Sequence, residues 1–292
     1  MRSFRAAEDD GFSADSARGL DEPGATVCAD LAAGADGGAD ARPDGGAEPA
    51  GGAGSPADTY WTLSRTPLTS LAFTLPLVLA YEGGVLALGR GSPRNGADVW
   101  LRQLLDALGF GGYFLLPVLM IVGLLAWHHV RHDPWRVSPA VLLGMCLECL
   151  VLAGVLVGIA RLQGRLWPIR LAADAAGPLA DGPAGLVARF VGCCGAGLYE
   201  EVLFRLLLLP AVAWGLRRLG GSDASAGGWA LVATSLLFAA AHYVGPLGDV
   251  FEPRGFVFRA LAGGFFALLF VVRGFGIAAG THAAYDMFVG LR

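Results

Sequence analysis

Long apolar runs separated by short polar breaks dominate the chain from residue 68 onward. Seven runs can be delimited, at 68–89, 112–130, 138–160, 184–216, 228–245, 256–272 and 274–290. Several reach or approach the roughly 20 residues that a helix needs to cross about 30 Å of hydrocarbon. The run at 184–216 is too long for one upright helix at about 1.5 Å per residue. It predicts either one tilted helix or two helices broken near Gly195 and Gly197, and hence seven or eight spans.

Composition supports a membrane domain. The chain has 292 residues, of which 54% are hydrophobic and only 16% are charged. A soluble globular protein has about 25% charged residues. The apolar runs are therefore interpreted as membrane-spanning helices.

The first 58 residues differ in composition from everything that follows. They are rich in Gly, Ala, Pro and Asp, and they carry 12 acidic residues against 4 arginines. Such a segment buries too little apolar surface to offset its ordering entropy. We therefore divide the chain into a disordered acidic tail, residues 1–58, and a membrane domain, residues 59–292.

All 21 basic residues are arginine, which indicates a GC-rich coding genome and hence a bacterium. We expect an integral, multi-pass protein of the bacterial cytoplasmic membrane, with the lipid bilayer as one partner. No basic patch with interleaved aromatic residues indicates nucleic-acid binding.

Two polar features in the earlier runs have open roles. Glu148 lies inside an apolar run and either serves a function or is protonated and hydrogen-bonded to a neighbouring helix. His128 and His132 are four residues apart and could chelate a metal. Their position at the end of a span favours an interfacial loop instead.

The stretch 195–205, GAGLYEEVLFR, places two glutamates and an arginine inside one of the most apolar parts of the chain. A charged side chain at the bilayer centre costs about 2.5–3.5 kcal/mol even on the lenient scale from insertion experiments. Glu201 and Arg205 are four residues apart on one helical face, with the acid first, so they can neutralise each other. Glu200 points about 100° away and is free to face another group.

Three further polar residues lie in the later runs. His242 follows Phe238 by four residues at the end of a run, and His282 and Asp286 share one face of the last helix. Polar groups in a bilayer face the bundle interior or a water-filled cavity rather than lipid. We therefore expect an all-α, polytopic membrane helix bundle that encloses a polar intramembrane cavity.

These groups suit the hydrolysis of an amide by water. A glutamate can accept a proton from water, while histidines complete the acid–base relay or donate hydrogen bonds to an oxyanion. Two histidines with a carboxylate also resemble a zinc site that polarises water. The chain has neither a G-x-S-x-G nucleophile elbow nor an H-E-x-x-H zinc helix. Both hydrolytic mechanisms therefore stay open.

Three motifs occur in order on apolar segments, EEVLFR at 200–205, FAAAH at 238–242 and HAAYD at 282–286. Together they resemble the EExxxR, FxxxH and HxxxN/D motifs of the CPBP family. This family includes the type II CAAX prenyl endopeptidases and bacteriocin-processing and immunity proteins. The resemblance covers about 184–290. It implies an intramembrane endopeptidase that cleaves a membrane-associated or lipid-modified protein or peptide.

The resemblance also implies roles for individual residues. Four positions match the family's catalytic residues: Glu200, His242, His282 and Asp286. The first corresponds to the glutamate that activates water and the second to its partner, while the last two stabilise the oxyanion or orient the site. Glu201 and Arg205 match the supporting ion pair. Many members have Asn at the position of Asp286, and because an ionised Asp cannot donate to an oxyanion, we expect it to orient His282 or support a metal.

Metal dependence is disputed for the family. A divalent metal such as zinc would be held by Glu200, His242 and His282. Metal-free catalysis is preferred here, because the three ligands come from different spans and such a site requires a rigidly packed bundle.

Two other function classes remain. One is a non-catalytic CPBP-like membrane scaffold or immunity protein, in which the charge cluster is only structural. The other is a transporter with a proton relay, which no inverted repeat in the sequence supports.

Overall fold

The computed structural model describes residues 56–89, 94–166, 183–245 and 248–291, and secondary structure in these ranges is entirely helical. In chain order the α-helices are α1 (Pro56–Leu63), α2 (Pro67–Leu88), α3 (Gly96–Ala107), α4 (Leu115–Val130), α5 (Pro139–Leu166), α6 (Pro183–Gly195), α7 (Leu209–Arg218), α8 (Asp223–Ala241), α9 (Pro253–Arg273) and α10 (Phe275–Gly290). Between α6 and α7 the backbone is π-helical over Ala196–Glu200 and Val202–Leu208. The predicted all-α fold is confirmed.

The helices closely follow the apolar runs of the sequence. Four of them, α2, α5, α8 and α9, are long and apolar enough to cross a bilayer, and α4 is a shorter apolar helix. The described part of the chain is therefore a polytopic helical membrane domain, as predicted, although four of its helices, rather than seven or eight, have the length and hydropathy of a membrane span.

The run at 184–216 lies within one continuous helical path, residues 183–218, which we call the motif helix. Gly195 has φ −67° and ψ −42°, and Glu201 has φ −68° and ψ −35°, so the backbone stays right-handed across both joints. The structure therefore shows the single-helix alternative, without a break near Gly195 or Gly197. A π-helical turn is one in which an N–H binds the carbonyl five residues earlier, and such turns are rare and often mark functional sites. Here Glu200 ends the first π-helical segment, and Glu201 lies between the two segments.

Two glycines let neighbouring helices approach the motif helix closely. A Cβ atom on Gly197 would lie 2.5 Å from the backbone nitrogen of Ala283 in α10, and one on Gly195 would lie 2.2 Å from the ring of Tyr81 in α2. Real Cβ atoms do not come this close to other atoms, so a larger residue at Gly197 would have to displace the backbone of α10, and one at Gly195 would have to displace the Tyr81 ring. The close approach of α10 places His282, the neighbour of Ala283, beside the EE pair.

Helix boundaries have local causes. The Thr66 and Ser222 side chains cap α2 and α8 by accepting the N–H of the residue three positions later. Gly274 alone separates α9 from α10 and has φ +88°, a conformation that favours glycine. This one-residue link keeps α9 and α10 adjacent, which brings both helices to the site.

Glu148 forms an ion pair with Arg273 at the end of α9. Arg273 donates from Nε at 2.6 Å and from Nη2 at 2.7 Å to the two carboxylate oxygens, and its guanidinium lies 3.7 Å from the centre of the Trp61 ring. Burial and the Glu148 carboxylate raise the pKa of Tyr60 to about 12, so this phenol keeps the proton that it donates to Glu148. Where we expected either a functional or a protonated acid, the structure shows an ion pair that joins α1, α5 and α9.

The predicted tail, residues 1–58, lies outside the described residues except for its last three positions, where α1 begins at Pro56. The division into a tail and a membrane domain therefore stays a prediction.

We expect Glu148→Gln to destabilise the membrane domain, because Arg273 is only 3% exposed and would remain as an incompletely compensated buried charge. The free energy of unfolding in detergent should fall by about 3 kcal/mol, the lower end of the range for a broken buried pair, since Glu148 keeps some exposure. Cys146→Ala, at an exposed position on the same helix, is the matched control. A Glu148→Gln variant as stable as this control would contradict the structural role.

Candidate active site

The carboxylate of Glu200 faces two histidines from other helices. Its Oε2 atom lies 4.0 Å from Nε2 of His242, just after α8, and 3.8 Å from Nε2 of His282 in α10. Oε2 is buried and has no hydrogen-bond partner among the described residues. The structure therefore brings together three of the side chains that the motifs identified.

Glu201 lies behind this group and binds two partners. One carboxylate oxygen accepts a hydrogen bond from Nδ1 of His282 at 2.8 Å, and the other lies 3.1 Å from Nε of Arg205. The side chains of Glu201 and Arg205 are 0% and 2% exposed, and Arg205 also donates to the carbonyl of Gly263 in α9 at 2.9 Å. The predicted ion pair is therefore present and fully buried, and it also holds His282.

Aromatic rings enclose the ion pair and both histidines. Phe266 of α9 stacks on His282 with ring centres 4.3 Å apart and an interplanar angle of 15°. Phe238 contacts the rings of both histidines edge to face, and the guanidinium of Arg205 lies 4.6 Å from its ring centre. A cation over an aromatic face is stabilised, particularly when it is desolvated. These rings fix the imidazoles in place and replace water around Arg205.

The hydrogen bonds define which nitrogen of His242 is available. Nδ1 lies 2.8 Å from the carbonyl oxygen of Phe238, and a carbonyl can only accept, so Nδ1 carries the hydrogen. In the neutral ring, Nε2 then has a free lone pair directed at the Glu200 side.

Asp286 is the most weakly connected of the predicted residues. Its Oδ2 atom lies 3.6 Å from Nε2 of His282, which is too long for a direct hydrogen bond. Its side chain is 28% exposed, against 5% for His282. The structure thus places Asp286 beside His282 without joining the two directly.

A cavity of about 240 Å³ opens onto part of the site. It is lined by the first turn of α3, the motif helix and the segment after α8: Gly96, Ala97, Trp100, Glu200, Phe204, Ala241, His242, Val244, Gly248 and Asp249. Glu200 and His242 are thus accessible from the cavity. His282 and Asp286 do not line it.

Two contact residues were not identified from the sequence. Asn95, which precedes α3, donates from Nδ2 to Oε1 of Glu200 at 2.8 Å, and Phe266 stacks on His282. The sequence signal at Asn95 is that of a helix cap, an Asn before GADVWLRQLL, and it carries no sign of the contact with Glu200. Phe266 lies in a run of apolar residues, where nothing distinguishes it from a packing side chain.

Two places in the sequence suggested metal ligands, this site and the region around His128. Among the described residues, no group of three or more His, Cys, Asp or Glu side chains is placed to hold a metal ion. His128 is fully buried against the ring of Trp135, while the His129 and His132 rings stack on each other. His128 and His132 thus contact different rings, those of Trp135 and His129.

A family model described as Type II CAAX prenyl endopeptidase Rce1-like matches residues 182–288, a range that contains all three motifs. No curated protein and no solved structure gave a match to the chain. The matched range coincides with the region of motif resemblance and with the helices that build the site. Over this range the chain is similar to the CAAX-type membrane proteases, in agreement with the resemblance of its three motifs to the CPBP family.

Proposed function

We propose that this protein is an intramembrane endopeptidase in which Glu200 activates a water molecule to hydrolyse a peptide bond. One observation carries the proposal: Oε2 of Glu200 lies 4.0 and 3.8 Å from the Nε2 atoms of His242 and His282, at a cavity that reaches Glu200 and His242. The match of residues 182–288 to the CAAX prenyl endopeptidase model supports a protease. The mechanism follows from the chemistry of these groups.

The spacing around Glu200 suits a bridging water. Separations of 3.8 and 4.0 Å are too long for direct hydrogen bonds but match two groups that bind the same water molecule. This water would donate one hydrogen to Oε2 of Glu200 and the other to the lone pair on Nε2 of His242. Its oxygen would then attack the scissile carbonyl in the cavity. Glu200 takes the proton from water and passes it to the leaving amine.

We propose that His282 helps to orient Glu200 and that Asp286 compensates the charge of His282. Neither lines the cavity, so direct contact with a substrate carbonyl is not their expected role. Glu201 fixes Nδ1 of His282, and the stacked ring of Phe266 fixes its plane. Nε2 of His282 then faces Glu200. When both nitrogens of the His282 ring carry protons, the carboxylate of Asp286 offsets the positive charge of the ring.

The donor set has the right chemistry for zinc but not the spacing. Two imidazole nitrogens and a carboxylate are common zinc ligands, and in a tetrahedral site with bonds of about 2.0–2.1 Å they lie about 3.4 Å apart. Here the carboxylate is 3.8 and 4.0 Å from the two nitrogens. As placed, Glu200, His242 and His282 do not fit a metal ion, so we propose metal-free catalysis.

An apolar groove next to the site supports a lipid-modified substrate. It has a volume of about 550 Å³ and is lined by apolar side chains of α3, α4 and the motif helix. On α3, Ala97 lines the catalytic cavity and Leu101, one turn later, lines the groove. On the motif helix, Phe204 lines the cavity and Leu206 lines the groove. The two spaces therefore follow the same pair of helices.

An alkyl or isoprenoid chain suits a groove of this apolar character, and its peptide would then reach Glu200. We propose that the substrate is a lipid-modified protein or peptide in the bacterial cytoplasmic membrane. The alternative is a non-catalytic scaffold or immunity protein, in which the buried ion pairs serve only to hold the helices together.

Glu200→Gln should abolish most hydrolysis while leaving the fold intact. The substitution is nearly isosteric and removes the base, so we expect cleavage to fall by about 10²-fold or more. The measurement is quantitative mass spectrometry of new peptide termini in membranes that carry the wild type or the variant. Uncleaved substrate should co-purify with the variant, and its mass will show any lipid modification.

Glu252→Gln, an exposed position before α9, is the matched control for loss of one carboxylate and should behave as wild type. If wild-type and Glu200→Gln membranes contain the same peptide termini, the chain is not a protease and the scaffold alternative holds.

Metal analysis decides the second part of the mechanism. We expect purified active protein to contain far less than one zinc or other divalent metal per chain, and to keep its activity in a strong chelator, because the donor atoms are too far apart for a metal site. The measurement is elemental analysis of the wild type beside His242→Ala. Near one metal per chain, lost together with activity in this variant, would contradict metal-free catalysis.

A further inference from the structure

We propose that Asn95 is a positioning residue for Glu200, a role that rests on the proposed function of Glu200 as the base. Asn95 comes from outside the three motifs and outside the matched domain. Its side chain reaches Glu200 across 105 positions of sequence. The contact fixes which oxygen of the carboxylate is free to act.

The orientation of the Asn95 amide follows from its partners. Oδ1 accepts the backbone N–H of Ala97 at 2.8 Å, as an N-cap residue does at the start of a helix. A backbone N–H can only donate, so the oxygen must face it and the NH₂ group must face the other way. Nδ2 then donates to Oε1 of Glu200 at 2.8 Å, and this carboxylate oxygen is an acceptor.

This hydrogen bond makes the two oxygens of Glu200 unequal. Oε1 is occupied by Asn95, while Oε2 has no partner among the described residues and faces the two histidines. A base needs one oxygen free and aimed at the water. A donor on the other oxygen stops the carboxylate from rotating.

Asn95 is itself held by buried polar groups. Its backbone N–H donates to the hydroxyl of Tyr81 at 3.0 Å, and this hydroxyl donates to Asp98 at 3.0 Å. Asp98 is fully buried and forms ion pairs with Arg94 at 2.5 Å and Arg102 at 2.6 Å. The start of α3 is therefore held against α2 by polar contacts as well as by apolar packing.

The same contacts return to the motif helix. Arg102 also donates to Glu82 of α2 at 3.0 Å, and Glu82 accepts from the hydroxyl of Tyr199 at 2.5 Å. Tyr199 is the neighbour of Glu200 in the chain, so the polar contacts close into a ring that starts and ends at the EE pair. Apart from Glu200 itself, these contacts involve two acids, Asp98 and Glu82, and two arginines, Arg102 and the attached Arg94, so their charges balance. Asn95 is the member of this ring that touches the proposed base.

A cap-only role makes a different prediction from a positioning role. Ser and Asp both cap helices about as well as Asn, but neither offers a donor to Glu200 at neutral pH in the same place. Asn95→Ser removes the donor without adding charge, and Asn95→Asp places a second carboxylate beside the first. If Asn95 only caps α3, both variants will behave as wild type.

The activity test uses an internally quenched fluorescent peptide with an isoprenoid-modified cysteine as the probe. We expect Asn95→Ser to lower kcat about tenfold or more, since a misplaced catalytic group costs up to about 10²-fold, and to leave KM within about twofold. Asn95→Asp should lower kcat further. Gln103→Ala, an exposed substitution on α3, is the control. Two results would overturn the proposal. One is a kcat for Asn95→Ser within twofold of wild type. The other is a fall in kcat that is matched by an equal rise in KM and an equal fall in folded yield.

A second measurement does not depend on activity. Melting temperatures in detergent are compared for Asn95→Ser, Glu200→Ala and the double variant. If the two side chains bind each other, the double variant loses less than the sum of the single losses; additive losses would overturn the proposal. Should the wild type fail to cleave the probe and show no new peptide termini in membranes, the proposed function fails, while this cycle still decides whether Asn95 holds Glu200.

Discussion

The buried carboxylate of Glu201 binds Arg205 on one side and His282 on the other, at 3.1 and 2.8 Å. An isolated charge in this position would cost several kcal/mol, because the side chain is fully buried within a membrane domain. The pair with Arg205 neutralises the charge, and the rings of Phe238 and Phe266 take the place of solvent around the guanidinium. The same carboxylate then fixes the imidazole of His282. A structural ion pair and the orientation of a site histidine therefore depend on one side chain.

Because Glu201 neutralises the charge of Arg205, the adjacent Glu200 is free to bind other groups. The partners of the two carboxylates come from the residue before α3, the residue after α8, and α10. Gly197 allows α10 to approach closely enough for His282 to reach Glu201. On the opposite side, the ring of buried polar contacts through Tyr81 and Asp98 holds Asn95 against Glu200. The site is thus built by packing from three helices around one segment of the motif helix.

The sequence predicted the features that depend on local spacing. Apolar run lengths gave the helices, since a span needs about 20 residues, and the spacing of Glu201 and Arg205 gave their ion pair because residues four apart share a helical face. Contacts between distant segments could not be predicted from the sequence. Asn95 and Glu200 are 105 positions apart, and Glu148 and Arg273 are 125 positions apart. Such contacts depend on how helices pack, and an Asn that caps a helix looks the same whether or not it also binds a carboxylate. The π-helical turns left no sequence signal that we can identify either.

The most direct test of this account is the free energy of unfolding of Glu201→Gln in detergent, measured beside the double variant Glu201→Gln/Arg205→Gln. A glutamine at 201 would leave Arg205, 2% exposed, without its counter-charge, so the account predicts a loss of about 3–5 kcal/mol. Removing both charges should recover part of that loss, because no uncompensated charge remains. A Glu201→Gln protein as stable as wild type would contradict the central role of this carboxylate.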